Sequence, residues 1–115
     1  MAVIATKKTA ARNVRPVDLS VFRGQTVMFN CRGLNVSWFH IEVTPGDDSL
    51  PVTRKLYTSP ANWHVTPGSK YDISGQYNLI IRDVDARTDG GTYKCNTDES
   101  DTLLSADLII FGNIV

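Results

Sequence analysis

A chain of 115 residues is long enough for one independent core and too short for two. Its 42% apolar and 21% charged residues exclude a disordered chain, and 12 basic residues balanced by 12 acidic ones exclude the positive field that non-specific nucleic-acid binding needs. No stretch approaches the roughly 20 apolar residues of a membrane-spanning helix, so no membrane contact by this domain is expected.

In chain order, the first fifteen residues are loosely patterned and carry Lys7, Lys8, Arg12 and Arg15 without an acid. They read as a solvated arm or a first edge strand. No charged-then-apolar leader precedes the domain; any secretory signal is expected to have been removed or replaced by Met1. From Pro16 the pattern becomes short apolar alternations broken by turns. Val17, Leu19 and Val21 alternate before the turn at Arg23-Gly24, and Val27, Phe29 and Cys31 alternate after it. Val36, Trp38 and His40 share one face of the next strand, with Phe39, Ile41 and Val43 on the other. Thr44 to Asp48 is a turn. Short strands are predicted over Leu50 to Tyr57 and Lys70 to Ser74, then at Tyr77 to Ile81, Tyr93 to Cys95 and Ser105 to Ile110. No amphipathic helix is visible. About eight or nine short strands, each with one apolar face, argue for an all-β sandwich or barrel.

Cys31 and Cys95 are 64 positions apart, both at inward positions by alternation. Two such cysteines suggest either one bridge across the core, which implies an oxidising compartment, or two buried reduced thiols in a cytosolic protein. Catalytic chemistry is poorly supplied. His40 and His64 are in no zinc-ligand spacing, and no nucleophile elbow or phosphate loop occurs. Asp83-Val84-Asp85 begins like a calcium loop, but Arg87 and Thr88 occupy positions that need a ligand and a glycine. Neither an enzyme nor a cofactor or metal is expected.

Cys31, Trp38, Leu79, Asp89, Gly91, Tyr93 and Cys95 together resemble the immunoglobulin superfamily, with Asp89 to Cys95 matching its Asp-x-Gly-x-Tyr-x-Cys signature. The resemblance runs from about Pro16 to Phe111. It implies a two-sheet Greek-key sandwich over residues 16–115, with residues 1–15 as the arm or first edge strand. It also implies a Cys31–Cys95 bridge with Trp38 packed on it, and a Tyr93 hydroxyl bonded back to the backbone. The distance from Trp38 to Cys95 leaves room for two strands beyond a constant-type sandwich, which implies the V-set subclass. Lys70 to Gly75 resembles the V-set Arg-Phe-Ser-Ile-Ser-Gly stretch, so Lys70 is expected to pair with Asp89 as a structural ion pair. Two features depart from the family. The run from Cys31 to Trp38 is short, and Phe111-Gly112-Asn113-Ile114 falls too late and lacks the last glycine of the antigen-receptor joining motif. A general V-set reading therefore ranks above an antigen receptor. Gly75 to Ile81 more loosely resembles invertebrate immune-type and adhesion receptors, amphioxus ones included.

The resemblance also implies where binding occurs. Phe39, Ile41 and Val43, at period two on a face expected to be polar, predict an exposed patch, extended by Leu50, Pro51 and Val52 on the neighbouring strand. In V-set proteins this face pairs with another V domain, so a V-type homodimer or a related V-set partner is expected. The loop after Cys95, with Asp98, Glu99 and Asp101, offers a second surface, read as a solvated turn or a site for a basic partner. Trp63 is placed in a loop after the predicted C″ strand, as a lid on the core or an exposed anchor. Asn35-Val36-Ser37 is the single N-glycosylation sequon. The expected function is an extracellular recognition domain of an immune-type or adhesion receptor, secreted or part of an ectodomain. The alternative is a secreted humoral protein that binds microbial glycans through its loops.

Overall fold

The computed structural model describes residues 15–42, 52–66, 68, 70–75, 77–98 and 104–112. Among these there are nine strands and no helix: β1 (Leu19–Phe22), β2 (Val27–Phe29), β3 (Ser37–Glu42), β4 (Thr53–Thr58), β5 (Asn62–Trp63), β6 (Tyr71–Ser74), β7 (Asn78–Ile81), β8 (Gly91–Asn96) and β9 (Leu104–Phe111). They form a six-stranded sheet in the order β1-β9-β8-β3-β4-β5 and a three-stranded sheet in the order β2-β7-β6. Pairing is antiparallel throughout except that β1 runs parallel to β9. β4 and β5 extend the larger sheet beyond β3.

The inward faces follow from period-two alternation. Val27 and Phe29 from β2, Trp38 and His40 from β3, Leu79 and Ile81 from β7, Tyr93 and Cys95 from β8, and Ala106 and Leu108 from β9 are all buried. Cys31 and Cys95 are disulfide-bonded, with Cα atoms 6.5 Å apart. Trp38 pairs in register with Cys95, which puts the indole beside the bridge. Its Nε1–H donates to the carbonyl of Tyr77 at 2.8 Å, so the one polar atom of a fully buried ring is satisfied. Phe29 stacks on Tyr93 at 5.1 Å and tilts toward Trp38 at 6.3 Å, which locks the two sheets together through aromatic contacts.

Several strand limits differ from the sequence reading. Val17 is exposed and precedes β1, because alternation toward the core begins only at Leu19. β9 extends through Phe111, since pairing with β1 continues from Leu19↔Leu108 to Phe22↔Phe111. Trp63 is on β5 itself, not in a loop after it. There its ring meets Tyr57 edge-on at 4.8 Å and packs half-buried against the core. β4 begins at Thr53; Val43, Leu50 and Pro51 lie outside the described residues. A register shift between Trp38 and Phe39 places Leu56 as an extra residue in β4, and Leu56 and Tyr57 are both buried.

Candidate functional site

The turn before β8 fixes the lower end of the larger sheet. The Asp89 carboxylate is buried and meets Lys70 Nζ at 2.6 Å. It also accepts from the backbone N–H of Asp85 at 2.7 Å, while Lys70 donates to the carbonyl of Asp83 at 2.8 Å. The Tyr93 hydroxyl donates to the carbonyl of Asp89 at 2.6 Å, a tyrosine corner closing the turn. Burial pushes the Tyr93 hydroxyl far above its usual range, so it remains a donor at any ordinary pH. Gly91 has φ 124°, and a Cβ there would lie 2.4 Å from the carbonyl oxygen of Ile41; only glycine lets β8 approach β3 so closely. Asp85 serves the same turn, its Oδ1 accepting from the N–H of Arg87 at 2.9 Å. Among the described residues no group of three or more His, Cys, Asp or Glu could hold a metal ion.

His40 lies in the interior, stacked on Tyr93 at 4.3 Å with rings 2° from parallel. Nε2 lies 2.9 Å from the carbonyl of Gly90 and donates to it, whereas buried Nδ1 has no hydrogen-bond partner. Burial lowers its pKa from the ordinary 6.5, aided by Arg54 and opposed by the Gly90 bond, Glu42 and Asp89. As pH falls, the unfolded chain takes up this proton first. The contribution is therefore complete above about 6.5 and is lost as pH drops from there toward the folded-state value. Urea unfolding between pH 7.5 and 5.5 is expected to show stability falling with acid, by at most about 1.4 kcal/mol per pH unit from this group. His40→Gln should flatten that slope; an unchanged slope would assign it elsewhere.

The outward face of the larger sheet is built by the other parity of the same strands. Phe39 and Ile41 of β3 are half-buried, not fully exposed as the alternation predicts. The reason lies in the neighbouring strands. Phe39 is flanked in register by Lys55 and Lys94, and the Lys55 ammonium lies 5.8 Å above its ring, so alkyl stems cover part of it. Ile41 lies between Thr53 and Thr92. Val52, just before β4, is 53% exposed as expected, and on β1 and β9 Phe22 is 64% exposed, Ile109 51% and Phe111 50%. The Phe22 and Phe111 rings touch, with centroids 6.3 Å apart. Between the two apolar areas lies Asp107, whose Oδ1 accepts from Thr92 Oγ1–H at 2.7 Å and whose N–H donates to Asp18 at 2.8 Å. The face therefore runs from lysines around Phe39, past aspartates, to bare aromatics at the β1–β9 side. In the sequence the alternation Ala106, Leu108, Ile110 marks the inward set, so Phe22, Ile109 and Phe111 do not stand out as surface groups. The same alternation, read for the opposite parity, contains the signal.

At the other end of the sheet, Asn35 is exposed and its Nδ2 donates to the Asp98 carboxylate, while the N–H of Asp98 donates to the carbonyl of Leu34 at 2.9 Å. Asp98 thus ties two loops together. Glu99 and Asp101 lie outside the described residues. Trp63, held against Tyr57, is not a free loop anchor.

No protein-family model matches the chain, and no curated protein matches it. Among solved structures, 1218 chains match, so the architecture is common and does not identify a function by itself. One of them, the I9–I11 tandem from titin, superposes with a TM-score of 0.53 at 17% identity, over 84% of this chain. The chain spans 31% of the length of that tandem. At that identity the likeness concerns architecture alone, and with the disulfide and the two-sheet strand order it establishes an immunoglobulin-like fold.

Proposed function

We propose that this chain is an extracellular V-set recognition domain, of an immune-type or adhesion receptor, that binds protein through the outer face of its six-stranded sheet. The partner argued for is a second copy of the same domain. The observation that carries the reading is the exposed Phe22–Ile109–Phe111 cluster, which shares its sheet face with half-buried Phe39 and Ile41. A soluble domain rarely leaves a contiguous apolar area of this kind uncovered unless it is an interface.

Self-pairing is favoured by how the face is divided. A two-fold interface sets each area against its complement on the other copy. An axis lying in the face between β8 and β9 would put β8 of one copy over β9 of the other. Lys94 then comes near Asp107 of the other copy. Basic meets acidic, which steers association and excludes many wrong partners. The bridge supports placement outside the cytosol, where such bonds persist. Loop-based glycan binding has less support, because Trp63 is engaged in packing and Asp98 in holding Asn35.

Sedimentation across a concentration series is expected to show dimers. Phe39→Glu with Ile41→Glu, and separately Phe22→Glu with Phe111→Glu, should each leave a folded monomer. A native domain that is monomeric at high concentration would overturn self-pairing. Dimers that persist in both variants would remove the face from the reading.

A further inference from the structure

We propose that Asn35 is an N-glycan attachment site and that its oligosaccharide covers the loop end of the sandwich, leaving the sheet face for protein contact. The proposal rests on the extracellular reading above, since the modification is made in the secretory pathway. Asn35-Val36-Ser37 has the acceptor pattern Asn-x-Ser without proline at the middle position. The structure adds what the pattern alone does not. Asn35 is exposed, with φ 54°, in a turn just before β3, while the next side chain, Val36, is fully buried. Val36 anchors the triplet in the core, and the turn sets the Asn35 amide at the surface. Glycosylation replaces one of the two hydrogens on Nδ2. The other remains, so the amide can carry a sugar and still donate to the Asp98 carboxylate. The modified residue keeps its structural bond, and the fold does not oppose the modification.

The neighbourhood gives the sugar something to cover. Leu34, one residue earlier, is 62% exposed, and its carbonyl receives the N–H of Asp98 from the loop after β8. A bulky, solvated glycan at Asn35 stands at the junction of these two loops and shields an apolar side chain there. The loop end is then the hydrated end of the molecule.

The test is to secrete the chain from eukaryotic cells behind a cleavable leader and measure its intact mass, before and after peptide-N-glycosidase F and without reductant. The expected result is a heterogeneous excess mass that the glycosidase removes, with the converted residue mapped to Asn35. Asn35→Gln and Ser37→Ala should each abolish the excess. Ser37→Ala retains the Asn35–Asp98 bond, so its loss of glycan cannot be ascribed to misfolding of that loop. Secreted protein that carries the Cys31–Cys95 bridge but no sugar would overturn the site and leave the functional reading standing. Secreted protein with reduced cysteines would overturn both.

Discussion

Replacing Cys31 and Cys95 together with alanine is expected to lower the free energy of unfolding by about 4 kcal/mol, enough to remove most of the stability of a typical small domain. The bridge closes a loop of 64 positions, and the magnitude follows from the chain entropy that such a crosslink removes from the unfolded state. Both sulfurs are fully buried beside Trp38, so the double variant also leaves a small void in the tightest part of the core. Urea unfolding of the oxidised, reduced and double-alanine proteins would measure it. Reduction and substitution should agree within about 1 kcal/mol, the difference being the void. If all three proteins unfold at the same urea concentration, the bridge does not hold this sandwich together.

The second large effect is expected at Lys70. Lys70→Met keeps much of the alkyl stem but leaves the buried carboxylate of Asp89 without its counter-charge. Breaking a buried pair from one side costs about 3–5 kcal/mol, and the lower end applies here because Lys70 is partly exposed and the N–H of Asp85 still serves the carboxylate. Adding Asp89→Asn should recover part of the loss, since the amide is uncharged and can still accept from Asp85. A single variant as stable as the parent, by thermal and urea unfolding, would show that the ion pair is incidental. The Tyr93 corner is expected to survive in both variants, because it uses the backbone carbonyl of residue 89 and not the side chain.

These two sites were also the most legible in the sequence. The roles of Cys31, Trp38, Tyr93 and Cys95, and the pairing of Lys70 with Asp89, are what the immunoglobulin resemblance implies. The structure places each next to the partner that the resemblance implies. What the sequence could not resolve depends on contacts across strands. Whether Phe39 is bare or covered is decided by Lys55 and Lys94, far away in the chain and set in register only by pairing. The assignment of Trp63 to a loop failed for a related reason. A two-residue strand has no periodicity to detect, and β5 exists only because Tyr57 and Thr58 pair with it. The sequence alternation ends the last strand at Ile110, whereas parallel pairing with β1 carries it one residue further, through Phe111.

The rims of the six-stranded sheet bear on how copies can gather. One rim is β1, only four residues long, with buried Pro16 shortly before it and the N–H of Phe22 already taken by the Gln25 side chain at 2.9 Å. The other is β5, only two residues long. Neither rim, among the described residues, offers a long row of free amides on which a foreign strand could template itself, and truncated rims of this sort are how natural sheets resist fibrous growth. Crowding this domain would thus favour contacts that terminate over chains that propagate.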